Sequence, residues 1–382
     1  MEQFAKDLRR FLKRLGRITT PHFRQMIRFL LLPYCFFFLV NWKECRKPRL
    51  QVAKDLLYIF FVLRYFPDNY SPCRLYEKDR SEWDWFYGSS YNPYQRARLI
   101  REVTPPEYQV LFEDKEVLQQ LCLGAGLRTP AFVGMVSTER PARRQLEQLL
   151  ESSPATEFFI KPVTGAAGRD IAKATKGEQG IVFYGNGRLS GRDYCFPERH
   201  IVQEKVLQHP QLEAIYAGSL NTMRIVTLYT KSGDSIILAT KIRFGRDGSY
   251  VDNWSRGGIG VGIDMETGTI LPRGFDKLGR IYEQHPNTYV PFAGHAVPMW
   301  NEILDFSRRT QSSFPYFRLL GLDVALAPEG PLLIEVNAYP DLVGLEQGTG
   351  PLLRNHLIYE EFSQYDLFIN RRQRALRAHL PS

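Results

Sequence analysis

Cysteine is scarce in this chain, and the spacing of a metal or redox motif is missing. The 382 residues include five cysteines, and no two of them form a Cys-x-x-Cys pair. This pattern argues against a structural zinc site and against a disulfide framework. A reducing compartment is the simplest setting for such a chain, so we expect a cytoplasmic protein.

A long apolar run is missing as well. The most apolar stretch, Phe29–Val40, is shorter than the ~20 residues of a membrane-spanning helix, and Pro33 interrupts it. It begins late and no small-residue cleavage site follows it, so it is not typical of a signal peptide. Two interpretations remain: a buried core helix, or a segment that enters one leaflet of a membrane.

Negative charge is sparse near the N-terminus. Residues 1–49 hold 12 Lys and Arg against 3 Asp and Glu, which accounts for the formal net charge of +9. In Phe4–Ile18 the apolar residues recur at helical spacing among basic ones, as in a helix on a membrane surface. A helix packed on the protein, with a solvated basic face, is the alternative.

This charge distribution favours an anionic partner. We expect residues 1–49 to bind an anionic membrane surface, peripherally on the inner membrane face. Nucleic acid is not an expected partner, because a groove-reading module and a base-stacking motif are missing from the sequence.

The P-loop motif is missing too, yet the middle of the chain predicts a phosphate site. The run Phe158–Ile160 is typical of a buried strand, and Lys161 follows it directly. The small-residue loop Gly165–Gly168 comes next, and such loops let backbone N–H groups approach an anion. A lysine beside the loop can neutralise phosphate. A plain hairpin turn is the alternative explanation of the loop.

Two strand-like runs near the C-terminal end carry carboxylates. Asp323 lies in the first run, Glu335 and Asn337 lie in the second, and a Pro-Glu-Gly-Pro turn joins them. Residues two apart in a strand point to the same face, so these three side chains can converge. Carboxylate and amide oxygens suit Mg²⁺. A solvent-facing acid in an ordinary strand is the alternative.

Cations lie between these two regions. Arg224 stands at the start of one strand-like run and Lys241 in the next, an arrangement that suits a polyphosphate. Asp252 is either an acceptor base or a turn residue, and His209 is either a nucleotide contact or a structural histidine. A second glycine-rich loop contributes the candidate substrate-binding residues Asp252, Asn253, Arg256, Gly257 and Gly258.

The order of these motifs resembles the ATP-grasp superfamily, and most of all its sugar-transfer-associated branch, which is related to alpha-L-glutamate ligases. The resemblance covers roughly Pro105–Leu353, through "FIKPVTGAAG", "VQEKV", "NTMR", "TKIRF", "DNWSRGG", "GLDVAL" and "LIEVNAYP". It implies an α+β fold in which two lobes clasp ATP. The regions would be a mostly helical extension (1–100), an N-lobe (105–205), a C-lobe (206–353) and a helical tail (354–382), whose basic face we expect to be solvated.

The resemblance also implies how ATP is bound. Lys115 and Lys161 would hold the α- and β-phosphates. The loop over the β- and γ-phosphates would be Gly165, Ala166, Ala167 and Gly168. The adenine hinge would be Gln203, Glu204, Lys205 and Val206.

The remaining implied roles concern phosphoryl transfer and the acceptor. Arg224 and Lys241 would be the catalytic cations: Arg224 would stabilise the transferred phosphoryl group, and Lys241 would do the same or hold a substrate carboxylate. The loop Asn253–Gly260 would border the acceptor. Mg²⁺ would be bound by Asp323, Glu335 and Asn337.

The implied reaction is the ADP-forming synthesis of an amide. A carboxylate attacks the γ-phosphate of ATP to give an acyl phosphate, and an amine then displaces the phosphate. This chemistry depends on positioning and charge neutralisation rather than on a Ser or Cys nucleophile. The branch name suggests a surface glycan, such as a uronic acid joined to an amino acid. The alternatives are an ATP-grasp phosphotransferase for a non-carboxylate acceptor and a non-catalytic, membrane-associated ATP-binding protein.

Overall fold

The fold is an N-terminal helical region followed by two antiparallel sheets, seen in a computed structural model. The predicted basic helix at Phe4–Ile18 lies outside the residues that the structure describes. Those residues are 21–89, 99, 101–151, 153–165, 170–177, 180–185, 188–189, 194–252, 254 and 257–380.

The N-terminal region is helical over residues 21–89, as the sequence predicts. Its core contains Val52, Ile59, Leu63 and Trp83, all fully buried. Within the described chain, no helix combines the length and the apolar character that a membrane crossing requires. The helices are Pro21–Phe29 (α1), Leu32–Tyr34 (α2), Arg49–Tyr58 (α3) and Arg80–Trp83 (α4), with π-helical turns at Cys35–Leu39 and Ile59–Leu63 and a 3₁₀ turn at Leu75–Glu77.

Two helices precede the first sheet, Val110–Glu113 (α5) and Lys115–Gly124 (α6), after a 3₁₀ turn at Pro106–Tyr108. Asp114 is the N-cap of α6, because its side chain accepts from the backbone N–H groups of Glu116 and Val117, each at 3.0 Å. Lys115 therefore stands at the first position of the helix, and its own backbone N–H donates to the Val163 carbonyl at 3.0 Å.

The first sheet has six strands within the described residues, in the order β1–β6–β2–β3–β4–β5. In β2, Phe158 and Ile160 are buried in one core with Leu146 and Leu150 of a helix at Ala142–Leu150 (α7). The alternating residues Phe159 and Lys161 face the other way, toward the second lobe. The strands are Phe132–Val136 (β1), Glu157–Pro162 (β2), Ala172–Gly177 (β3), Gly180–Gly185 (β4), Arg188–Leu189 (β5) and His200–Glu204 (β6).

The second sheet has seven strands within the described residues, in the order β11–β10–β9–β8–β7–β12–β13. A short helix at Pro210–Glu213 (α8) precedes it, and the long helix Trp300–Ser313 (α9) covers one face. The strands are Met223–Tyr229 (β7), Ser235–Phe244 (β8), Ile259–Ile263 (β9), Ile270–Phe275 (β10), Ile281–Tyr282 (β11), Leu319–Ala327 (β12) and Gly330–Asn337 (β13).

The other face of the second sheet is covered only in part by apolar helices. Leu342–Thr349 (α10) packs on β8 and β9, and the apolar residues Val226 and Leu228 share a core with the C-terminal helices. The rest of this face carries charged residues. The C-terminal helices are His356–Gln364 (α11) and Arg371–Ala375 (α12), with 3₁₀ turns at Leu352–Arg354 and Leu376–His379.

The arginines of the C-terminal segment are exposed, as expected, but residues between them are buried. Gln373 and Leu376 are buried, and the Asn370 amide donates to the Leu63 carbonyl at 2.8 Å. Arg372 forms an ion pair with the buried Asp84 at 2.7 Å. The tail therefore ties the N-terminal helices to the second lobe, because its apolar side chains alternate with the basic ones.

Candidate active site

A row of chemically active side chains crosses the second sheet. Cross-strand pairing aligns Gly262 with Lys241, Lys241 with Arg224, Arg224 with Asp323, and Asp323 with Glu335. Directly paired residues place their side chains on the same face. The predicted cations and carboxylates, which are far apart in the chain, therefore meet on the partly uncovered face of this sheet.

Asp323 is the centre of the row and is held by two arginines. Arg224 donates from Nε and Nη2 to the two carboxylate oxygens, at 2.6 and 3.1 Å, and Nη2 of Arg243 lies 3.0 Å from Oδ2. Burial alone would raise the pKa of Asp323, but the two guanidinium groups hold it below its ordinary value. Asp323 is therefore a carboxylate at neutral pH.

Arg243 was not among the predicted site residues. It follows Lys241 by two positions in β8, so both point to the same face. Its Nε lies 3.6 Å from the Asp252 carboxylate, and that carboxylate accepts from the Thr222 backbone N–H at 2.8 Å. Asp252 is buried, which raises its pKa despite Arg243. The alternation in "TKIRF" is the sequence signal that could have identified Arg243.

Glu335 and Asn337 occupy the outer strand of the hairpin, as the sequence predicts. Burial, and then the neighbouring Asp323, raise the pKa of Glu335. The Asn337 amide nitrogen donates to the Gly321 carbonyl at 3.3 Å, which leaves the amide oxygen as its remaining acceptor. Two adjacent carboxyl groups, one of them with a raised pKa, are a fitting environment for a divalent cation.

The predicted metal set fits Mg²⁺ by its chemistry, since Mg²⁺ takes a few carboxylates and completes its shell with water and phosphate. In the described part of the chain, groups of three or more His, Cys, Asp and Glu suited to a metal are absent. The predicted set of Asp323, Glu335 and Asn337 contains only two residues of these types, so it does not form such a group. Asp323 has about one free acceptor position, because three of roughly four are taken by arginine N–H groups.

Lys241 points toward α10 rather than toward Asp323. Its Nζ donates to the Gly344 carbonyl at 2.7 Å and lies 4.9 Å from the centre of the Trp254 ring. Burial lowers the pKa of Lys241 to about 7, with nearby Asp341 acting in the opposite direction. The lysine is thus poised to exchange a proton near neutral pH.

The two lysines of the first lobe donate to neutral oxygens. Nζ of Lys115 donates to the Gly165 carbonyl at 2.8 Å, and Nζ of Lys161 donates to the Gln203 side-chain oxygen at 3.0 Å. Burial lowers the pKa of Lys161 to about 8, while Glu335 raises it and Lys115 lowers it further. Gly165 has a φ of 138°, a conformation that favours glycine, at the start of the predicted phosphate loop.

Gln203 continues a hydrogen-bonded chain into the first lobe. Its amide donates to the Gln119 oxygen at 3.1 Å, and the Gln119 amide donates to Thr129 Oγ1 at 2.8 Å. Gln119 was missed by sequence reasoning, and its place on the inner face of α6 was the available signal. These residues line a small cavity that also includes Lys115 and Lys161.

The predicted hinge of four residues is partly a strand. Gln203 and Glu204 are the last residues of β6, so the connector to the second lobe begins at Lys205 and includes Val206. The Glu204 carboxylate accepts from Ser153 Oγ at 2.7 Å, and Lys205 forms an ion pair with Glu157 at 2.5 Å. Their side chains are therefore occupied within the first lobe, and so are their backbone N–H groups, which donate to the Ala131 and Glu157 carbonyls, each at 2.9 Å.

A cavity that opens to solvent lies between the lobes. Its second-lobe wall contains Arg243, Asp252, Asp323 and Glu335, whereas Arg224 and Lys241 are not among the described residues that line it. Its first-lobe wall contains Lys115, Lys161 and Gly165 together with Phe159. Since Lys115 and Lys161 also line the small cavity near Gln203, they stand between the two spaces.

Some predicted site residues lie away from the row, and others are not among the residues that the structure describes. The latter are Ala166, Ala167, Gly168, Asn253 and Arg256. Gly257 has a φ of 99° and Gly258 is buried just before β9. The His209 ring accepts from the Gln211 backbone N–H at 3.3 Å, which makes it the N-cap of α8 and supports the structural interpretation.

The chain belongs to the sugar-transfer-associated ATP-grasp family, whose model matches residues 94–358. The family resemblance inferred from the motif order is thus confirmed, as is the α+β ATP-grasp fold with helices before the sheets. Among curated proteins, none matches this chain.

Solved structures of ATP-grasp enzymes are similar to this chain at low identity. They include the VanG D-Ala:D-Ser ligase from Enterococcus faecalis (14% identity, TM-score 0.37, 66% of this chain and 61% of that one). D-alanyl-alanine synthetase A from Vibrio cholerae has 12% identity, a TM-score of 0.39 and coverages of 68% and 64%. An L-amino acid ligase from Bacillus licheniformis has 12% identity, a TM-score of 0.36 and coverages of 69% and 53%. The chain thus spans less than two thirds of the length of these relatives.

Proposed function

We propose that the protein is an ATP- and Mg²⁺-dependent carboxylate–amine ligase that forms an amide through an acyl phosphate. The observation that carries this proposal is the pairing of two cavity walls with complementary chemistry. Lys115 and Lys161 on one wall face Asp323, Glu335 and Arg243 on the other. A triphosphate bound with a metal ion has the charges that such a site neutralises.

The position of each residue in the site would determine which part of ATP or of the intermediate it contacts. Lys115 and Lys161 would bind the α- and β-phosphates, since both border the small cavity and the larger one. Arg243 lines the larger cavity and would contact the γ-phosphate and the acyl phosphate. Arg224 would act through Asp323, because both of its hydrogen bonds to that residue hold the carboxylate in place.

Mg²⁺ held by Asp323, Glu335 and Asn337 would neutralise oxygens of the β- and γ-phosphates. In the first step the substrate carboxylate attacks the γ-phosphorus and ADP leaves. In the second step the amine attacks the acyl carbon, phosphate leaves, and the amine loses a proton. Lys241 is not among the described residues that line the cavity and its Nζ donates to the Gly344 carbonyl, so we assign it no step of the reaction.

The family description supports a sugar-derived substrate. We propose that the carboxylate belongs to a uronic acid of a surface glycan and that the amine is an amino acid. Attachment to the inner membrane face through the basic residues 1–49 remains a companion proposal, and it fits an enzyme that modifies an envelope glycan.

Product analysis with labelled substrate tests the reaction. The protein is incubated with ATP, Mg²⁺, uronic acids carrying ¹⁸O in the carboxylate, and a panel of amino acids. A ligase transfers one ¹⁸O to inorganic phosphate and forms ADP and an amide. Phosphate retained on the acceptor would instead identify a phosphotransferase. Nucleotide binding without ADP formation across the panel would support the non-catalytic alternative.

A further inference from the structure

Among the described residues, exposed large apolar side chains are concentrated in the N-terminal helical region, which holds ten of the eighteen. Phe37 is 66% exposed and Phe61 59% exposed. We call the set the apolar face, and it comprises Phe23, Met26, Phe29, Leu30, Phe37, Phe38, Leu50, Leu57, Phe61 and Val62. Exposed apolar residues are common singly, but this many in one short region mark an interaction surface.

Contacts between aromatic rings show that the apolar face draws on separate segments. The ring of Phe29, at the end of α1, lies 5.8 Å from that of Phe61, in the π-helical turn after α3. In α3 and the π-helical turn that continues it, the side chains of Leu50, Leu57 and Phe61 are seven and four residues apart. This spacing places them along one side of the helix. The turn that carries Phe37 and Phe38 packs on α3 as well.

Among the described residues of the segment 21–64, the exposed charged side chains have one sign. Lys43, Arg46, Arg49, Lys54 and Arg64 are exposed. The described acids of residues 21–64 are turned inward: Asp55 is fully buried, with Lys47 at 3.1 Å and Arg80 at 2.6 Å, and Glu44 is half-buried and 3.5 Å from Arg74. The outward charge of this segment is therefore positive.

We propose that the apolar face docks the protein onto the surface of an anionic lipid bilayer. Exposed aromatic and aliphatic side chains that can enter the interface, with lysine and arginine in the same segment, are the features that bind such a surface. The positive outward charge of the segment favours anionic lipid as the occupant over a neutral apolar partner. The surface is a folded one and extends to Val62, beyond the N-terminal segment 1–49 that the charge distribution singles out.

The docking surface is joined to the active-site sheet by direct packing. Val343 of α10 belongs to the core of the N-terminal helices, and the next residue, Gly344, accepts from Lys241. A bilayer bound at the apolar face would therefore hold the catalytic lobe beside the membrane. The inference does not depend on the proposed reaction, because docking needs neither nucleotide nor acceptor.

Vesicle co-sedimentation of the full-length protein without nucleotide tests the inference. We expect binding to phosphatidylcholine vesicles that contain phosphatidylserine, and much weaker binding to phosphatidylcholine alone. High salt should weaken the binding, because it screens the exposed lysines and arginines of this segment from the anionic lipid. Absence of binding to both kinds of vesicle, or equal binding to both, would overturn the proposal.

Substitutions then separate the apolar face from other parts of the chain. Phe37→Ser and Phe61→Ser should each lower the vesicle partition coefficient by roughly tenfold, and Lys54→Gln by about fivefold. Tyr289→Ser, at a side chain 69% exposed and distant in sequence, should leave it unchanged. Because all these side chains are exposed, the variants should keep the wild-type melting temperature.

Two alternatives give different results: a membrane anchor elsewhere in the chain, and a second copy of the chain on the apolar face. If the Leu8→Asp, Leu12→Asp double variant abolishes vesicle binding while Phe37→Ser and Phe61→Ser do not change it, the basic helix of the extreme N-terminus is the anchor and the proposal fails. If Phe61→Ser converts a dimer into a monomer, as measured by analytical ultracentrifugation, and vesicle binding stays unchanged, the face is an interface between two copies.

Discussion

The two walls of the cavity compensate their charges in different ways. On the second-lobe wall, Asp323 lies between Arg224 and Arg243, and its charge is matched before any ligand arrives. On the first-lobe wall, Lys115 and Lys161 donate to a carbonyl and an amide oxygen. The difference indicates that the second wall is a pre-organised framework, whereas the first wall awaits an anion. The arginine–carboxylate pairs of the second wall should therefore contribute mainly to stability, and the lysines of the first wall mainly to ligand binding.

The largest expected effect is on turnover at the hairpin. Glu335→Ala should abolish ADP formation with the acceptor present, because the predicted Mg²⁺ set loses a carboxylate. The measurement is steady-state ADP release, with folding checked by circular dichroism. Glu283→Ala, at an exposed acid of a surface ion pair, is the control and should behave like the wild type. Normal turnover by Glu335→Ala would show that the metal assignment is wrong.

Arg243→Met should cost stability on the second-lobe wall. The change leaves the buried Asp252 and Asp323 with one cation fewer, and breaking a buried pair in this way costs about 3 kcal/mol or more. Urea titration gives the free energy of unfolding. The matched control is Arg273→Met, which removes an exposed ion pair with Glu283 and should cost no more than about 1 kcal/mol. Equal losses for the two variants would contradict the pre-organised framework.

Gly165→Ala should have a moderate effect at the phosphate loop. Alanine at a φ of 138° is strained, which we expect to cost about 1 kcal/mol in the free energy of unfolding. Gly124→Ala, in a helix with open space around its Cβ position, should instead be neutral or stabilising. Thermal unfolding of the pair measures the difference, and a stabilised Gly165→Ala would argue against the loop conformation.

Lys161→Met should have the smallest effect on stability. Since the folded-state pKa of about 8 lies below the ordinary lysine value of 10.5, the unfolded chain binds the proton more tightly. Stability contributed by this group therefore rises with pH between about 8 and 10.5. We expect Lys161→Met to change the free energy of unfolding by less than about 1 kcal/mol at pH 7, since the lost hydrogen bond offsets the relieved charge.

The same variant should also flatten the pH dependence of stability. Urea titrations at pH 7 and about pH 9 compare the wild type with Lys161→Met, and the wild type should gain more stability on the alkaline side. If Lys161→Met lost as much stability as Arg243→Met, the two walls of the cavity would contribute alike to stability, which would contradict the proposed difference between them.

Local sequence patterns predicted the parts of the site that sit on single strands. The hairpin of Asp323 and Glu335, and Lys161 on a strand of alternating burial, follow from two-residue periodicity. Arg243 was missed although the same periodicity pairs it with Lys241. Which of two cations on one face lines the cavity depends on strand pairing and on where α10 covers the sheet.

Patterns that depend on long-range packing could not be predicted. Phe37 and Phe61 lie in runs typical of a protein core, yet they face outward. The sequence could not predict this, because periodicity does not tell which side of a helix the rest of the chain covers. The arginines of the C-terminal tail are exposed, as expected, but the sequence did not predict that Leu376 between them packs against the second lobe. The end of β6 extends two residues into the predicted hinge, since strand bounds depend on partners elsewhere in the chain.

The central claim is that the first-lobe lysines bind ATP together with a metal ion held by the hairpin. Calorimetric titration of ATP into the wild type and Lys161→Met, each with and without Mg²⁺, tests it most directly. The account predicts Mg²⁺-dependent binding to the wild type and affinity reduced at least about tenfold in the variant, since a charge-assisted hydrogen bond is lost. Undetectable ATP binding by the wild type, or equal affinity in the two proteins, would contradict it.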